Sequence, residues 1–188
     1  MNEQKKYEFT GEIKVVFGIN FKQIRAIINF GCVVAGEIGG WIESEENLSQ
    51  SGDAWVSGDA WVSGNARVSG DAWVSGNARV FGDARVSGDA WVYGNARVSG
   101  DARVSGDAEV KKDDDYMVVG GAGRYNRFTT FFKCRDKTIK VVCGCFFGTI
   151  IEFRAKVKET HKGNKHEKVY LAMADMAELQ IGNDEVEK

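Results

Sequence analysis

Acid–base, nucleophilic or metal chemistry in this 188-residue chain would have to come from few side chains: His161 and His166, and Cys32, Cys134, Cys143 and Cys145. Cys134, Cys143, Cys145 and His161 have the ligand types of a zinc site. Residues 128–135 and 138–146 read as a β-hairpin around Asp136-Lys137. With a two-residue loop, position 134 pairs with 139 and 130 with 143, which sets Cys134 about 13 Å from Cys143. Zinc–thiolate bonds of about 2.3 Å do not span that. The expectation is therefore structural sulfur, on a core face holding Phe128, Thr130, Phe132, Cys134, Ile139, Val141, Cys143 and Cys145. Cys32 is expected as a lone buried or semi-buried thiol at a turn. Gly120-Gly-Ala-Gly-Arg-Tyr-Asn-Arg127 is rich enough in glycine for a phosphate loop. It lacks the Gly-Lys-Ser/Thr ending and leads into a strand, so it reads as a turn, with Arg124 and Arg127 as the groups that could meet an anion. His161 falls near the end of a helix on the side of Phe153 and Val157, a packing or capping position. No Ser/His/Asp set, carboxylate pair or Cys/His dyad assembles, so the chain is expected not to be an enzyme and to need neither metal nor cofactor.

The residues with most to say are tryptophans and arginines. Residues 51–110 are ten uninterrupted hexapeptides of the form Ser-Gly-Asp/Asn-Ala-Trp/Arg-Val. In a strand the Ala and Val of each hexad point to one side and the residue between them to the other. Ser-Gly-Asp/Asn supplies a bend. No single hexad can bury its apolar face alone, so the hexads must stack as a solenoid. A second period of 18 separates Trp55, Trp73 and Trp91. Three hexads per turn make a triangular prism, with equivalent residues stacked about 4.8 Å apart in parallel ladders. One face then carries Trp55, Trp73, Trp91 and Glu109, the second Trp61, Arg79 and Arg97, and the third Arg67, Arg85 and Arg103. The spacing shows the prism but not its hand.

Read as Val-Ser-Gly-Asp-Ala-Trp, the hexad fits the pattern of left-handed β-helices. Gly36-Glu-Ile-Gly-Gly-Trp-Ile-Glu-Ser-Glu-Glu-Asn-Leu-Ser49, with Gln23-Ile-Arg-Ala26 upstream, resembles the YdcK-like β-solenoid proteins of bacteria and their phages. That resemblance covers roughly residues 7 to 110 and implies a left-handed prism behind a short β cap. Members of that family often carry a transferase label, taken from hexapeptide-repeat acyltransferases. Those enzymes use a histidine base at a trimer interface, and this chain has no histidine within its hexads. The hexads also lack the threonines of an ice-binding surface.

Solenoid ends expose unpaired strand edges and must be covered. Residues 1–50 are expected to form an N-terminal β cap leading into the coil, with strands at 7–10, 13–17 and 21–28 and a turn at Gly18-Ile-Asn20. Residues 21–30 also have the apolar spacing of a helix. Residues 111–188 should form a small α+β module behind the charged break Lys111-Lys-Asp-Asp-Asp115. It contains the hairpin, a helix opened by the capping box Thr149-Ile-Ile-Glu152 with Ile150, Phe153 and Val157 inward, and a second helix from Asn164 with Val169, Met173 and Met176 inward. Gly121-Ala-Gly123-Arg124, Thr129-Thr-Phe-Phe132, Gly144-Cys-Phe-Phe-Gly-Thr149 and Lys158-Glu-Thr-His161 give this end a resemblance to a module of prophage and gut-bacterial proteins of unknown role. The fold class is thus mainly β, a triangular solenoid between a β cap and an α+β module.

Composition agrees. The chain has 23 Gly and no Pro, against roughly 13 and 9 for average usage, and ten of those glycines are hexad bends. Without Pro and a Gly-X-Y period it is not a collagen. No stretch is long and apolar enough for a membrane span, and the start has no apolar leader core, so a cytoplasmic protein with reduced thiols and no membrane partner is expected. A formal charge of −2 for the chain and −3 for the hexads, with five Arg against seven Asp and one Glu, disfavours direct nucleic-acid binding. The Trp and Arg ladders could be purely structural, with Arg79 over Trp61 as a cation–π contact. The favoured expectation is that they form a surface for a host protein or ribonucleoprotein, since both residue types are enriched in interface hot spots. Self-association through a face or an end is a further expectation. The partner reading extends by resemblance to a phage accessory protein that disarms a host-defence nuclease such as a CRISPR effector; the alternative is a structural or assembly protein.

Overall fold

The computed structural model describes residues 5–122 and 126–182. Chain order is β1 (Tyr7–Val16), β2 (Ile19–Ala26), β3 (Ile38–Ile42), ten two-residue strands from β4 (Trp55–Val56) to β13 (Glu109–Val110), β14 (Tyr116–Ala122), β15 (Arg127–Lys133), β16 (Ile139–Cys143), β17 (Phe146–Thr149), α1 (Ile150–His161) and α2 (Lys165–Ile181).

The hexads stack as the period of 18 requires. Trp55 pairs in parallel with Trp73, Trp73 with Trp91 and Trp91 with Glu109. Trp61, Arg79 and Arg97 form the second ladder, and Arg67, Arg85 and Arg103 the third. Every Ala and Val of the hexads is buried, so the prism interior is a column of methyl groups. The bend glycines have positive φ, and at Gly88 a Cβ would lie 2.8 Å from the Gly106 nitrogen one coil below. Only a residue without a side chain lets the corners stack this closely.

The coil begins before the hexads do. Trp41 and Ile42 pair with Trp61 and Val62, and Leu48 bridges Val68, each partner 20 residues away rather than 18. Two additional residues before Ala54 hide this first coil from the six-residue pattern. Ile42, Leu48 and Val56 are its inward residues, and all are buried.

Both ends are covered, and groups outside the hexads, mostly side chains, replace the missing coil. At the N-terminal end, carbonyls of the three corners would be left without donors. The Lys6 ammonium donates to Gly52 O and Ala54 O at 3.0 and 2.7 Å. The Trp41 amide donates to Ala60 O, and the Asn47 amide group to Gly64 O and Ala66 O. At the other end the Arg97 amide is accepted by Asp113 and the Arg103 amide by the Thr130 hydroxyl. These contacts meet the need to satisfy buried backbone groups without a further copy of the coil.

The cap is an antiparallel pair, β1 with β2. Residues 21–30 are not helical: the turn falls at Phe17 and Gly18, whose φ values are 51° and 80°, one residue earlier than the expected Gly18-Ile-Asn20. That two-residue turn returns the chain as a strand along β1. Cys32 is exposed, because it sits on the loop after β2 rather than under it.

In the C-terminal module the order is β14-β15-β16-β17, with β14 and β17 additional to the expected hairpin. The hairpin register differs by one residue: Thr130 pairs with Val142 and Lys133 with Ile139. Arg135-Asp136-Lys137 is a three-residue loop, closed by Cys134 pairing with Thr138 and by Lys137 at φ 65°. A slip of one exchanges the faces of a strand relative to its partner. Phe132, Cys134, Tyr116, Val118 and Val142 therefore close the end of the solenoid. Phe131, Val141, Cys143, Met117 and Ile139 pack on the helices. The single core face expected from Phe128 to Cys145 is thus two faces, and Phe128 and Cys145 are exposed.

Both helix starts are as expected: Thr149 accepts from the Glu152 amide, and Asn164 caps α2. α1 buries Ile150, Phe153 and Val157. α2 buries Tyr170, Met173, Ala174, Ala177 and Ile181, whereas Val169 is half-buried and Met176 exposed. The inward stripe is turned by about one residue from the expected one. No helix among the described residues is long and apolar enough to cross a membrane.

Candidate functional site

The Trp face is graded from end to end. Trp55 is fully buried, with Phe30 and Tyr7 rings 5.4 and 6.4 Å from its own. A Cβ on Gly39 would come within 2.6 Å of the Trp55 ring. Trp55 was an expected surface residue, and the cap removes it from the surface. Trp73 is half-buried and Trp91 is 49% exposed. Between them and the cap lies an open, mainly apolar groove of about 460 Å³, lined by Cys32, Trp73, Ser75, Trp91 and Tyr93. Arg135 from the C-terminal module stands with its guanidinium 4.5 Å from the Trp91 ring and donates to the Asp89 carbonyl. Tyr93 donates to Glu109 at 2.7 Å, and that bond raises its phenol to about 12, so it stays a neutral donor.

On the second face Arg79 stands 5.2 Å over Trp61, the expected cation–π contact, while Phe21 of the cap and Phe81 pack on the same indole. Arg97 is exposed on that face. Arg67, Arg85 and Arg103 are exposed on the third. None of these four arginines forms an ion pair among the described residues.

A further column escaped the sequence reading. The bend residues before the Trp face are Asp53, Asp71, Asp89 and Asp107, Asp in every coil. The other two corners mix Asp with Asn. Writing the third hexad position in threes would have shown it. Both ends of this column meet a lysine. Lys6 lies near Asp53 and Asp71, although burial dominates and lowers its ammonium to about 8. Lys140 pairs with Asp107 at 2.5 Å.

The four residues with zinc-ligand chemistry are divided. Cys134 faces the solenoid end, while Cys143 lies on the helix side beside a cleft of about 710 Å³ that also holds Cys145, His161, His166 and Tyr170. His161 stacks on Tyr170 at 5.4 Å, so its position is a packing one. Asp107, Cys134 and Asp136 approach within 4.8 Å, but Lys140 already holds the Asp107 carboxylate. Burial pushes the Cys134 thiol up to about 12, which keeps it protonated and a poor ligand. Arg124 lies outside the described residues. Arg127 lines a shallow pocket with Asp101 and Arg103.

The YdcK beta solenoid repeat family matches residues 60–76, 72–88, 78–94, 90–106 and 96–110. No curated protein matches the chain. Coil geometry, ladder register and these matches together identify residues 60–110 as YdcK β-solenoid repeats, within a solenoid of about four turns.

Proposed function

We propose that the chain is a non-enzymatic binding protein whose solenoid presents the exposed middle of its Trp face, and its Arg ladders, to a macromolecular partner. The observation that carries this is the open groove at Trp73, Trp91 and Tyr93. The cap buries Trp55 and Arg135 of the C-terminal module stacks on Trp91, yet Trp73 stays only half-buried and Trp91 49% exposed. Purely structural tryptophans would be better stabilised under a cover, and rigidly displayed Trp and Arg are the residue types that dominate interface energetics. The partner class in this reading is a protein or ribonucleoprotein of a bacterial cytoplasm. Its narrowest form, a phage or mobile-element product inhibiting a defence nuclease such as a CRISPR effector, rests on the sequence resemblance alone.

Affinity capture from bacterial lysate with wild type, Trp73→Ser/Trp91→Ser and Arg67→Ser/Arg85→Ser/Arg103→Ser tests the reading. A captured species lost in either face variant supports it. The same profile from all three folded proteins overturns it and leaves a structural or assembly role.

A further inference from the structure

Beside the groove, the Asp column supplies charge of one sign. Asp71 and Asp89 are exposed, and neither carboxylate forms an ion pair among the described residues, although Asp71 accepts from the Asp53 amide at 3.1 Å and lies in the field of Lys6. They belong to successive coils, so their backbones stand about 4.8 Å apart and their charges repel. A cation placed against them relieves that repulsion. Indole faces next to carboxylates favour cations twice over, through the ring quadrupole and through direct Coulomb attraction.

The chain already shows which cation fits. Arg135 reaches from the hairpin loop, stacks on Trp91 and donates to the Asp89 carbonyl, spanning indole and bend with one planar group. A guanidinium can stack and donate in its plane at once, which an ammonium cannot do. Trp73 and Asp71 repeat this pair one coil higher, where no arginine among the described residues stacks on the ring.

Building on the reading of this face as a partner surface, we propose that the groove docks an arginine-bearing segment of a protein partner. Its guanidinium stacks on Trp73 beside Asp71, and a neighbouring apolar side chain fills the space bounded by Cys32, Trp91 and Tyr93. The occupant's charge follows from the column: the exposed Asp71 and Asp89, two residues before Trp73 and Trp91, would repel a polyanion on this face. The arginines on the other faces do not enter the groove.

The test is titration of the full-length protein with acetyl-Gly-Arg-Ala-Arg-Gly-amide, followed by the indole N–H signals in two-dimensional NMR. The Trp73 and Trp91 signals are expected to shift saturably while that of Trp55 stays in place. A peptide with citrulline for arginine, or the variant Asp71→Asn/Asp89→Asn, should bind roughly ten-fold more weakly. Arg67→Ser/Arg85→Ser/Arg103→Ser should bind as wild type does. Equal binding of the citrulline peptide, absence of any shift, or a larger shift with oligothymidylate overturns the proposal. If the peptide fails but capture still depends on Trp73 and Trp91, the arginine chemistry is wrong and the face reading survives. If both fail, the face reading falls as well.

Discussion

Two tryptophans of one ladder should respond to truncation very differently. Trp55→Ala removes an indole that is 0% exposed. Burying about 150–250 Å² of aromatic surface is worth roughly 4–6 kcal/mol at about 25 cal/mol per Å². The Trp55 indole N–H has no hydrogen-bond partner among the described residues, which offsets about 1–3 kcal/mol of this. Alanine would leave a void between Tyr7, Phe30 and Gly39, adding a cavity term, so the net loss is about 4 kcal/mol. Trp91→Ala removes an indole that is 49% exposed, so about half the area counts and solvent fills the space; the loss is about 2 kcal/mol. Urea denaturation followed by far-UV circular dichroism reads the difference without relying on tryptophan fluorescence. Hydrogen exchange should show the Trp55→Ala loss concentrated in the cap and the first two coils, because a solenoid transmits stability between neighbouring coils. Equal losses from the two substitutions, or a larger one from Trp91→Ala, would refute the division of the ladder into a covered end and a displayed middle.

Other outcomes follow from the edges and corners. The Lys6 ammonium falls to about 8 when buried, against its ordinary 10.5. Between those values the unfolded chain binds more protons than the folded one, so stability should rise with pH by up to about 3 kcal/mol across pH 8 to 10.5; Lys6→Met should lack this rise in paired denaturation curves. Asn47→Ala leaves Gly64 O and Ala66 O without their donor and should cost about 2 kcal/mol, with faster exchange of the amides around residues 63–68 as the local readout. Gly100→Ala meets nothing within 4 Å and should cost only the roughly 1 kcal/mol of a left-handed alanine. Gly88→Ala adds a 2.8 Å approach to the Gly106 nitrogen, so its thermal midpoint should fall further than that of Gly100→Ala.

The solenoid was legible because a period of 18 leaves no freedom: once Trp55, Trp73 and Trp91 coincide, the three ladders and the inward Ala and Val follow. The first coil was hidden by two additional residues before Ala54, though Ile42 and Leu48 occupy inward positions. Whether an outward residue is exposed depends on long-range packing, which is why Trp55 reads as a surface residue and lies instead under Tyr7 and Phe30. The hairpin register turned on Lys137 adopting a left-handed conformation that local composition favours for Gly or Asn. That single residue exchanged Cys134 and Cys143 between faces and divided the expected core. Phe21 to Phe30 has apolar residues at both spacings, and the turn at Phe17-Gly18 decides for a strand. The Asp column was legible but needs the bend position to be compared coil by coil.

Site-specific photo-crosslinking in bacterial cells reads this surface in place, with a benzophenone amino acid at Ser75 inside the groove, or at Asp83 or Ser99 in the corner before the third face, away from it. A discrete crosslinked species is expected from position 75 that disappears when Trp73 and Trp91 are changed to Ser and persists when Cys32 is changed to Ser. No crosslinked species from position 75, or the same species from all three positions, would contradict a partner surface at the middle of the Trp face.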